Sequence, residues 1–300
     1  MAKSVFVLLI GNKERGEIND FQLLQEETAI AEGKRSGVDV EVAFAPGFDQ
    51  LRVLRKRVME ASSRPLDAVV TEPASVSSMD LILRDLKGKA GLVLLNAWGP
   101  SVEEYGRSWG SDHPFGTVSA DNTRIGEIQG QQIATLLPKG GNVLLVTGPQ
   151  RSSPAQQRLA GMKSKIRPDI KVFETEGGQW TEVDGIGAFN SWYGVFKARN
   201  ETVQVVAAQN DELAVGARDG AKAVPNAAHR EMFLQAKYLG VDASPRYGKR
   251  LVDTGTLTAS VLMPSNTDVA IRNLQGFWQN RRPVPLRAFT EVAAYPPQSV

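Results

Sequence analysis

The sequence predicts a doubly wound α/β protein, and three observations lead to this fold class. Short runs rich in Val, Leu and Ile alternate along the chain with longer amphipathic stretches, the order expected of parallel strands joined by helices. Most of these runs are continuously apolar, which is typical of strands buried on both faces. No Pro- or Gly-rich linker divides the 300 residues, although that length suggests about two domains. We therefore expect two lobes that are joined by more than one crossing strand.

The predicted strands are the strand-length apolar runs at 3–10, 39–44, 68–71, 91–96, 117–120, 142–147 and 203–207. The second of them differs from the others, because apolar and polar residues alternate from Val38 to Phe44. Alternation is typical of a strand with one solvated face. We therefore place this strand near an edge of its sheet.

Polar residues that can cap a helix stand before apolar stripes at helical spacing. Asn19 and Asp20 precede one stripe, and Asp121 and Asn122 precede another. The stripes are Phe21, Leu24, Thr28 and Ala31; Ile125, Ile128, Ile133 and Leu136; and, further on, Ile186, Phe189, Tyr193 and Phe196. The third stripe surrounds Trp192, for which we predict a packing role.

The connection 97–114 is long and rich in Gly, Pro and Ser, and it carries Trp98, Tyr105 and Trp109. Long connections are often binding loops. Two interpretations remain open: the aromatic rings cover a binding crevice, or they pack the loop onto its own lobe.

Composition excludes several classes of function. The 35 Lys and Arg residues nearly balance the 33 Asp and Glu residues, so we expect no nucleic acid partner. The absence of cysteine excludes disulfides, thiolate catalysis and Cys-ligated metals. His113 and His229 lie outside any catalytic or metal-binding motif. We therefore expect no enzymatic activity, no cofactor and no metal.

No apolar stretch approaches the ~18 residues of a membrane span, so we do not expect the chain to span a membrane. The N-terminal run 5–10 is short and lacks a cleavage site, which fits a first strand better than a signal peptide. A cytoplasmic protein and one whose signal peptide has been removed both remain possible.

Polar and aromatic residues cluster at the predicted strand ends, where open α/β sheets bind their ligands. They include Asn19 with Phe21, Glu72, Asn96 with Trp98, Trp180, Asn210 and Asp242. Helix capping is the alternative role for each Asn and Asp. Amides and carboxylates beside flat rings are what recognition of a polyhydroxylated ligand needs.

Five segments carry a resemblance to a known family. They are VSADNTRIGEIQGQQIA at 118–134, GNVLLVTGPQRSSPAQQRLAGM at 141–162, VVAAQNDELAVGA at 205–217, LGVDASP at 239–245 and GTLTASVLMPSNTDVA at 255–270. The run Gln-Asn-Asp-Glu at 209–212 and the Gly-x-Asp at 240–242 are the most specific. In this order and spacing, the chain resembles the type I periplasmic binding proteins of the ribose-binding and lactose-repressor kind over nearly its whole length.

The resemblance implies two α/β lobes joined by three hinge strands that close on a ligand between them. One lobe would comprise 1–119 with 264–288, and the other 120–263 with 289–300. The crossings would lie near 119–121, 263–265 and 288–290.

The resemblance also implies a ligand-binding set: Asn19, Phe21, Asn96, Trp98, Gln156, Trp180, Asn210 and Asp242. Several positions depart from the sugar-binding pattern. Asn96 and its neighbours stand where Asp-Arg is common, and Gln156 and Met263 replace Arg and Gln. Glu72 replaces Asn and adds an acid. Because charged sugar contacts are neutral or apolar here, we expect a small neutral sugar or polyol-like ligand.

The resulting hypothesis is an extracytoplasmic solute-binding protein of an ABC importer, working as a monomer with its permease, after removal of a signal peptide. Glu14 or Glu17, with Asp184, are candidate permease contacts. The alternative hypothesis is the effector-binding core of a lactose-repressor-type regulator that lacks its DNA-binding module.

Overall fold

The computed structural model describes residues 2–15, 18–199 and 201–299. They form two compact units: unit 1 lies within 1–120 and 265–290, and unit 2 within 121–264 and 291–300. The chain therefore passes from one unit to the other three times, at 120/121, 264/265 and 290/291. The crossings expected from the sequence differ from these by one or two residues.

The strands are β1 (Ser4–Ile10), β2 (Asp39–Ala45), β3 (Ala68–Thr71), β4 (Gly91–Leu95), β5 (Phe115–Ala120), β6 (Gly141–Thr147), β7 (Ile170–Glu176), β8 (Val205–Ala208), β9 (Lys237–Leu239), β10 (Ser260–Leu262), β11 (Ala288–Thr290) and β12 (Ala293–Tyr295). The α-helices are α1 (Asp20–Ser36), α2 (Gln50–Met59), α3 (Val76–Leu86), α4 (Pro100–Ser108), α5 (Asn122–Leu136), α6 (Ser153–Lys165), α7 (Glu182–Phe196), α8 (Asp211–Lys222), α9 (Ala227–Gln235), α10 (Gly248–Asp253) and α11 (Thr267–Asn280). Short 3₁₀ turns lie at Lys13–Arg15, Glu60–Ser62 and Pro297–Ser299.

Unit 1 contains a six-stranded parallel sheet in the order β11-β5-β4-β3-β1-β2. Successive residues of β1 feed two cores, with Val5 and Val7 on one face and Phe6 and Leu8 on the other. Helices α1 and α11 cover the first face, and α2, α3 and α4 cover the second. The alternating strand β2 lies at the sheet edge, as predicted.

Unit 2 contains a four-stranded parallel sheet in the order β7-β6-β8-β9. Strand β6 likewise divides its side chains between two cores, with Leu144 and Val146 opposite Val143 and Leu145. β10 pairs with β12 in an antiparallel ribbon. Both units are therefore parallel sheets with helices on two faces, and the predicted α/β class is confirmed.

Glycines allow the helices of unit 2 to approach closely. A Cβ on Gly161 of α6 would lie 2.1 Å from the carbonyl oxygen of Thr123, and one on Gly126 of α5 would lie 2.0 Å from that of Arg158. No real side chain fits such gaps, so these positions require glycine. The packing of α6 on α5 fixes the place of Arg158, which is central to the site.

The connection 97–114 contains helix α4, which sequence analysis had interpreted as loop. Pro100 is at the start of this helix, where proline fits because the first turn needs no N–H partner. Trp109 is only 4% exposed and stacks on Phe115, with ring centroids 4.5 Å apart. Trp109 therefore packs onto its own unit, in agreement with the second interpretation of the loop.

The expected apolar stripe of α1 is wrong in part. Phe21 is buried, but Ala31 is exposed. The buried face instead carries the polar Gln22, Gln25 and Glu32. Polar contacts, described below, set the rotation of this helix more than apolar burial does.

Candidate functional site

In unit 1, polar side chains gather at the carboxyl ends of neighbouring strands. Glu72 directly follows β3, and Asn96 directly follows β4. The Asn96 Nδ2 donates to Glu72 Oε1 at 3.0 Å, and the Gln22 Nε2 donates to Glu72 Oε2 at 2.8 Å. The Glu72 backbone oxygen also accepts from Gln50 Nε2 at 2.6 Å. This half-buried carboxylate is therefore held by amides at the edge where open sheets bind ligands.

The hydrogen bonds continue from Asn96 along the same edge. Its Oδ1 accepts from the Asn266 Nδ2 at 2.9 Å, and the Asn266 Oδ1 accepts from Thr290 Oγ1 at 3.1 Å. Asn266 and Thr290 are both buried. Glu72, Asn96, Asn266 and Thr290 thus form one directional chain of hydrogen bonds, and we call these four residues the unit 1 relay.

Gln25 explains part of the buried polar face of α1. Its Oε1 accepts from the backbone N–H groups of Asn266 at 2.9 Å and of Thr267 at 3.2 Å. These donors begin α11 and have no partner within that helix. Gln25 therefore caps α11, which is a structural role.

Asn19 and Phe21 hold the start of α1. The Asn19 Oδ1 accepts from the backbone N–H of Gln22 at 2.9 Å, the geometry of an N-cap. The Phe21 side chain is 4% exposed. Both residues therefore contribute to helix and core, and a ligand-binding role for either one remains a prediction.

Trp98 lies two residues beyond Asn96 and is half-buried. The Arg287 guanidinium lies over its ring, 4.6 Å from the centroid, and at 4.7 Å from the Phe289 ring. These are cation–π distances. Arg287 therefore occupies a position that a ligand stacked on that face of Trp98 would need.

In unit 2, the site is built around the buried Arg158 of α6. Its Nε donates to Asn122 Oδ1 at 2.9 Å, and its Nη1 donates to the backbone oxygen of Gln209. Asp242, 4% exposed, places its Oδ1 4.0 Å from Arg158 Nη1. Buried charges persist when they are paired and hydrogen-bonded, and Arg158 meets both conditions.

Asn210 caps α8 and also contacts the aromatic residue of the site. Its Oδ1 accepts from the backbone N–H of Leu213 at 2.9 Å. Its Nδ2 donates to the carbonyl oxygen of Trp180 at 2.9 Å and to Glu212 Oε2 at 3.0 Å. Asn210 therefore combines the capping role with a role in positioning Trp180.

The half-buried Trp180 ring lies between Gly148 and Arg158. A Cβ on Gly148 would stand 2.0 Å from Trp180 Cη2, so only glycine allows the ring this position. The Arg158 guanidinium lies 5.6 Å from the ring centroid. Strands β6, β7, β8 and β9 thus bring Gly148, Trp180, Asn210 and Asp242 together at one edge of the unit 2 sheet.

Three predicted site residues have unusual backbone conformations. Asn96, Trp180 and Asp242 have φ values of 49°, 70° and 108°. Such values are uncommon for residues other than glycine and are outliers for bulky side chains. Strain of this kind concentrates at functional sites, so its position supports these three assignments.

Some predicted residues lie apart from these clusters. Gln156 is exposed, and its Nε2 donates to the backbone oxygen of Gln150 at 2.7 Å. Asp184, a candidate permease contact, instead accepts from the Thr181 backbone N–H at 3.1 Å in a capping box. Glu14 is exposed, and Glu17 lies outside the described residues.

Sequence analysis missed Gln22, Asn266 and Arg158. Arg158 had a detectable signal, because it lies two residues beyond Gln156 on the helix that follows β6. Gln22 and Asn266 had none, since their importance comes from partners 50 and 170 residues away.

The chemistry available in these clusters is that of reversible binding. Across the described ranges, no group of three His, Cys, Asp or Glu side chains is placed to hold a metal ion. No helix in this part of the chain has the length and apolarity that a membrane crossing requires. Carboxylates and amides offer hydrogen bonds to hydroxyl groups, and the Trp180 ring can cover apolar C–H groups.

The chain matches the family model described as "Periplasmic binding protein domain" over residues 17–271. Two curated relatives are a xylitol-binding protein of Mycolicibacterium smegmatis, 24% identical over 64% of this chain and 54% of the relative, and a ribose import binding protein of Escherichia coli, 28% identical over 48% of this chain and 45% of the relative. The matched region thus spans about half the length of these relatives.

A solved structure of similar fold is the ABC transporter periplasmic solute binding protein of Actinobacillus succinogenes 130z with bound D-allose. It superimposes with a TM-score of 0.79 at 18% identity, covering 99% of each chain. This likeness supports the two-unit α/β architecture. All three proteins are binding proteins, which confirms the expectation that the chain is not an enzyme.

Proposed function

We propose, because the chain belongs to the periplasmic binding protein family, that it is an extracytoplasmic solute-binding protein of an ABC importer, and that it binds a small neutral sugar or polyol. The observation that carries this proposal is the cluster of Trp180, Asn210 and Asp242 around the buried Arg158. A flat ring beside an amide and a charged pair at strand carboxyl ends suits a polyhydroxylated ligand.

The similar proteins support the ligand class. The curated relatives are named for xylitol and ribose, and the solved structure contains D-allose. These ligands are neutral and rich in hydroxyl groups. The clusters of this chain offer carboxylate and amide acceptors for such hydroxyl groups in each unit.

The role in import rests on the same proteins, since two of them are named as import or ABC transporter components. We accordingly propose a periplasmic or otherwise extracytoplasmic location and a permease as partner. The alternative, a lactose-repressor-type regulator core, has no support from the proteins named above, which are all binding proteins.

Titration calorimetry with xylitol, D-ribose, D-allose and D-fructose tests this proposal. We expect at least one of them to bind, and Asp242→Asn to weaken that binding by about tenfold to a hundredfold, the equivalent of about 1.5–3 kcal/mol. Asp219→Asn is the matched control, because Asp219 is an exposed residue of α8 whose Oδ1 accepts from Lys222. Absence of binding across neutral sugars and polyols, or unchanged affinity in Asp242→Asn, contradicts the proposal.

A further inference from the structure

We propose that Glu72 determines the charge class of the ligand: it makes the unit 1 subsite accept hydroxyl donors and reject sugars that carry a carboxylate or phosphate group. This inference rests on the proposed function and deepens it. It assigns a specificity-determining role to a residue that departs from the sugar-binding pattern described above.

The position of Glu72 supports this role. It follows β3, which lies between β1 and β4 in the sheet. Its backbone oxygen is held by Gln50, and its two carboxylate oxygens accept from the amides of Gln22 and Asn96. Both ends of the residue are therefore fixed, and a fixed charge discriminates between ligands better than a mobile one.

The carboxylate also decides which way the neighbouring amides point. A carboxylate can only accept hydrogen bonds, so the nitrogen of each amide must face Glu72 and the oxygen must face elsewhere. The Asn96 oxygen faces Asn266. The Gln22 oxygen is buried and has no hydrogen-bond partner among the described residues, in a side chain that is 8% exposed.

A buried acceptor without a donor is unusual in folded proteins and calls for a partner. A ligand hydroxyl group can donate to it, whereas a carboxylate or phosphate group cannot. Together, the Glu72 carboxylate and the Gln22 oxygen make this part of unit 1 rich in acceptors and negative in charge. Like charges brought together at a binding surface are strongly unfavourable, so an anionic sugar is repelled.

The test compares each neutral sugar or polyol that binds with its anionic analogues, using calorimetry at constant ionic strength. D-ribose is compared with D-ribonate and D-ribose 5-phosphate, and xylitol with D-xylonate, so that the charge lies at either end of the carbon chain. The wild-type protein should bind the neutral member more tightly by about a hundredfold or more, from like-charge repulsion. Glu72→Gln should reduce this preference by about tenfold or more.

Glu104→Gln is the control, because it removes the same charge from an exposed position of α4 in the same unit. It should leave the preference unchanged. Glu72→Asn serves as a second variant, with a melting curve for each variant, in case Glu72→Gln does not fold. An unchanged preference in a folded Glu72 variant overturns this inference. Failure of the wild-type protein to bind any neutral sugar or polyol instead overturns the proposed function.

Discussion

At the scale of single residues, backbone strain separates site residues from ordinary helix caps. Asn210 caps a helix from an ordinary extended conformation, with φ −150°. Asp242 has a φ of 108°, held by backbone bonds from its own N–H to Val261 and from Met263 to its carbonyl oxygen. Asp242 is therefore placed by the sheet, and the sequence-based alternative of a simple cap does not account for its conformation.

The two tryptophans of unit 2 should respond differently to truncation. Trp192 stacks on Phe196 with ring centroids 4.3 Å apart, and Phe173, Phe189 and Phe233 lie within 6.0 Å. Trp192→Ala should therefore lose about 3–5 kcal/mol of stability, with normal affinity in the folded fraction. Trp180→Ala should lose less stability, since its ring borders Gly148 at the strand edge.

We expect Trp180→Ala to weaken ligand binding by about 30- to 150-fold, the equivalent of about 2–3 kcal/mol from the lost ring contact. Calorimetry and thermal melts of both variants measure the two effects. If Trp180→Ala is the less stable variant and binds normally, Trp180 is a packing residue and the predicted ligand contact is wrong.

At the scale of elements, glycines fix the helix pairs of unit 2. Gly161→Ala should destabilise the protein, although alanine favours helices, because its Cβ would collide with the Thr123 carbonyl oxygen at 2.1 Å. The loss should be about 1–3 kcal/mol, the usual cost of overpacking. It should also weaken ligand binding, because α6 carries Arg158.

Gly187→Ala is the matched control, since no atom lies within 4 Å of a Cβ built at this position in α7. It should stabilise the protein by about 0.4–1 kcal/mol through helix propensity and reduced chain entropy. Denaturant titrations of both variants compare the two effects. Equal stability of the two variants contradicts the proposed close packing of α5 and α6.

Helices α1 and α11 of unit 1 are joined through the buried carboxylate of Glu32. Burial alone would raise the pKa of Glu32, but hydrogen bonds from Ser36 and Arg35 and the charges of Arg35 and Arg272 lower it below the ordinary value of 4.5. The folded protein thus binds this proton less tightly than the unfolded chain does. The stability that Glu32 contributes is complete above pH 4.5 and is lost as the pH falls through the folded-state pKa.

Glu32→Gln should therefore lower the melting temperature most at neutral pH, and the difference from wild type should shrink below a pH of about 4. The expected loss at pH 7 is about 1–3 kcal/mol, because hydrogen bonds to a charged group are removed. Melts from pH 3 to pH 7 measure it, with Glu174→Gln at an exposed site of β7 as control. A difference from wild type that does not depend on pH contradicts this role of the carboxylate.

At the scale of the whole molecule, the three crossings at 120/121, 264/265 and 290/291 make hinge motion a natural expectation. We predict that a bound sugar or polyol lowers the radius of gyration measured by small-angle scattering, with the mass of a monomer throughout. Asp242→Asn, at a ligand concentration that saturates only the wild type, is the control. An unchanged profile of the saturated wild-type protein contradicts hinge closure.

The sequence by itself determined the fold class, most strands and several helix starts. The reason is that period, burial and capping are local properties: the continuous apolar runs gave β3 and β4, the alternation gave the edge strand β2, and Asn19 and Asp121 do cap their helices. Helix α4 escaped because Pro100 marks a helix start as readily as a loop.

Only the tertiary structure decided which polar residues act together. Gln22 and Asn266 reach Glu72 and Asn96 from distant parts of the chain, and Arg158 meets Asp242 across 84 residues. Gly148 allows Trp180 its place only because β6 and β7 lie side by side. Such pairings depend on strand order and helix rotation, and neither is written in the local pattern of the sequence.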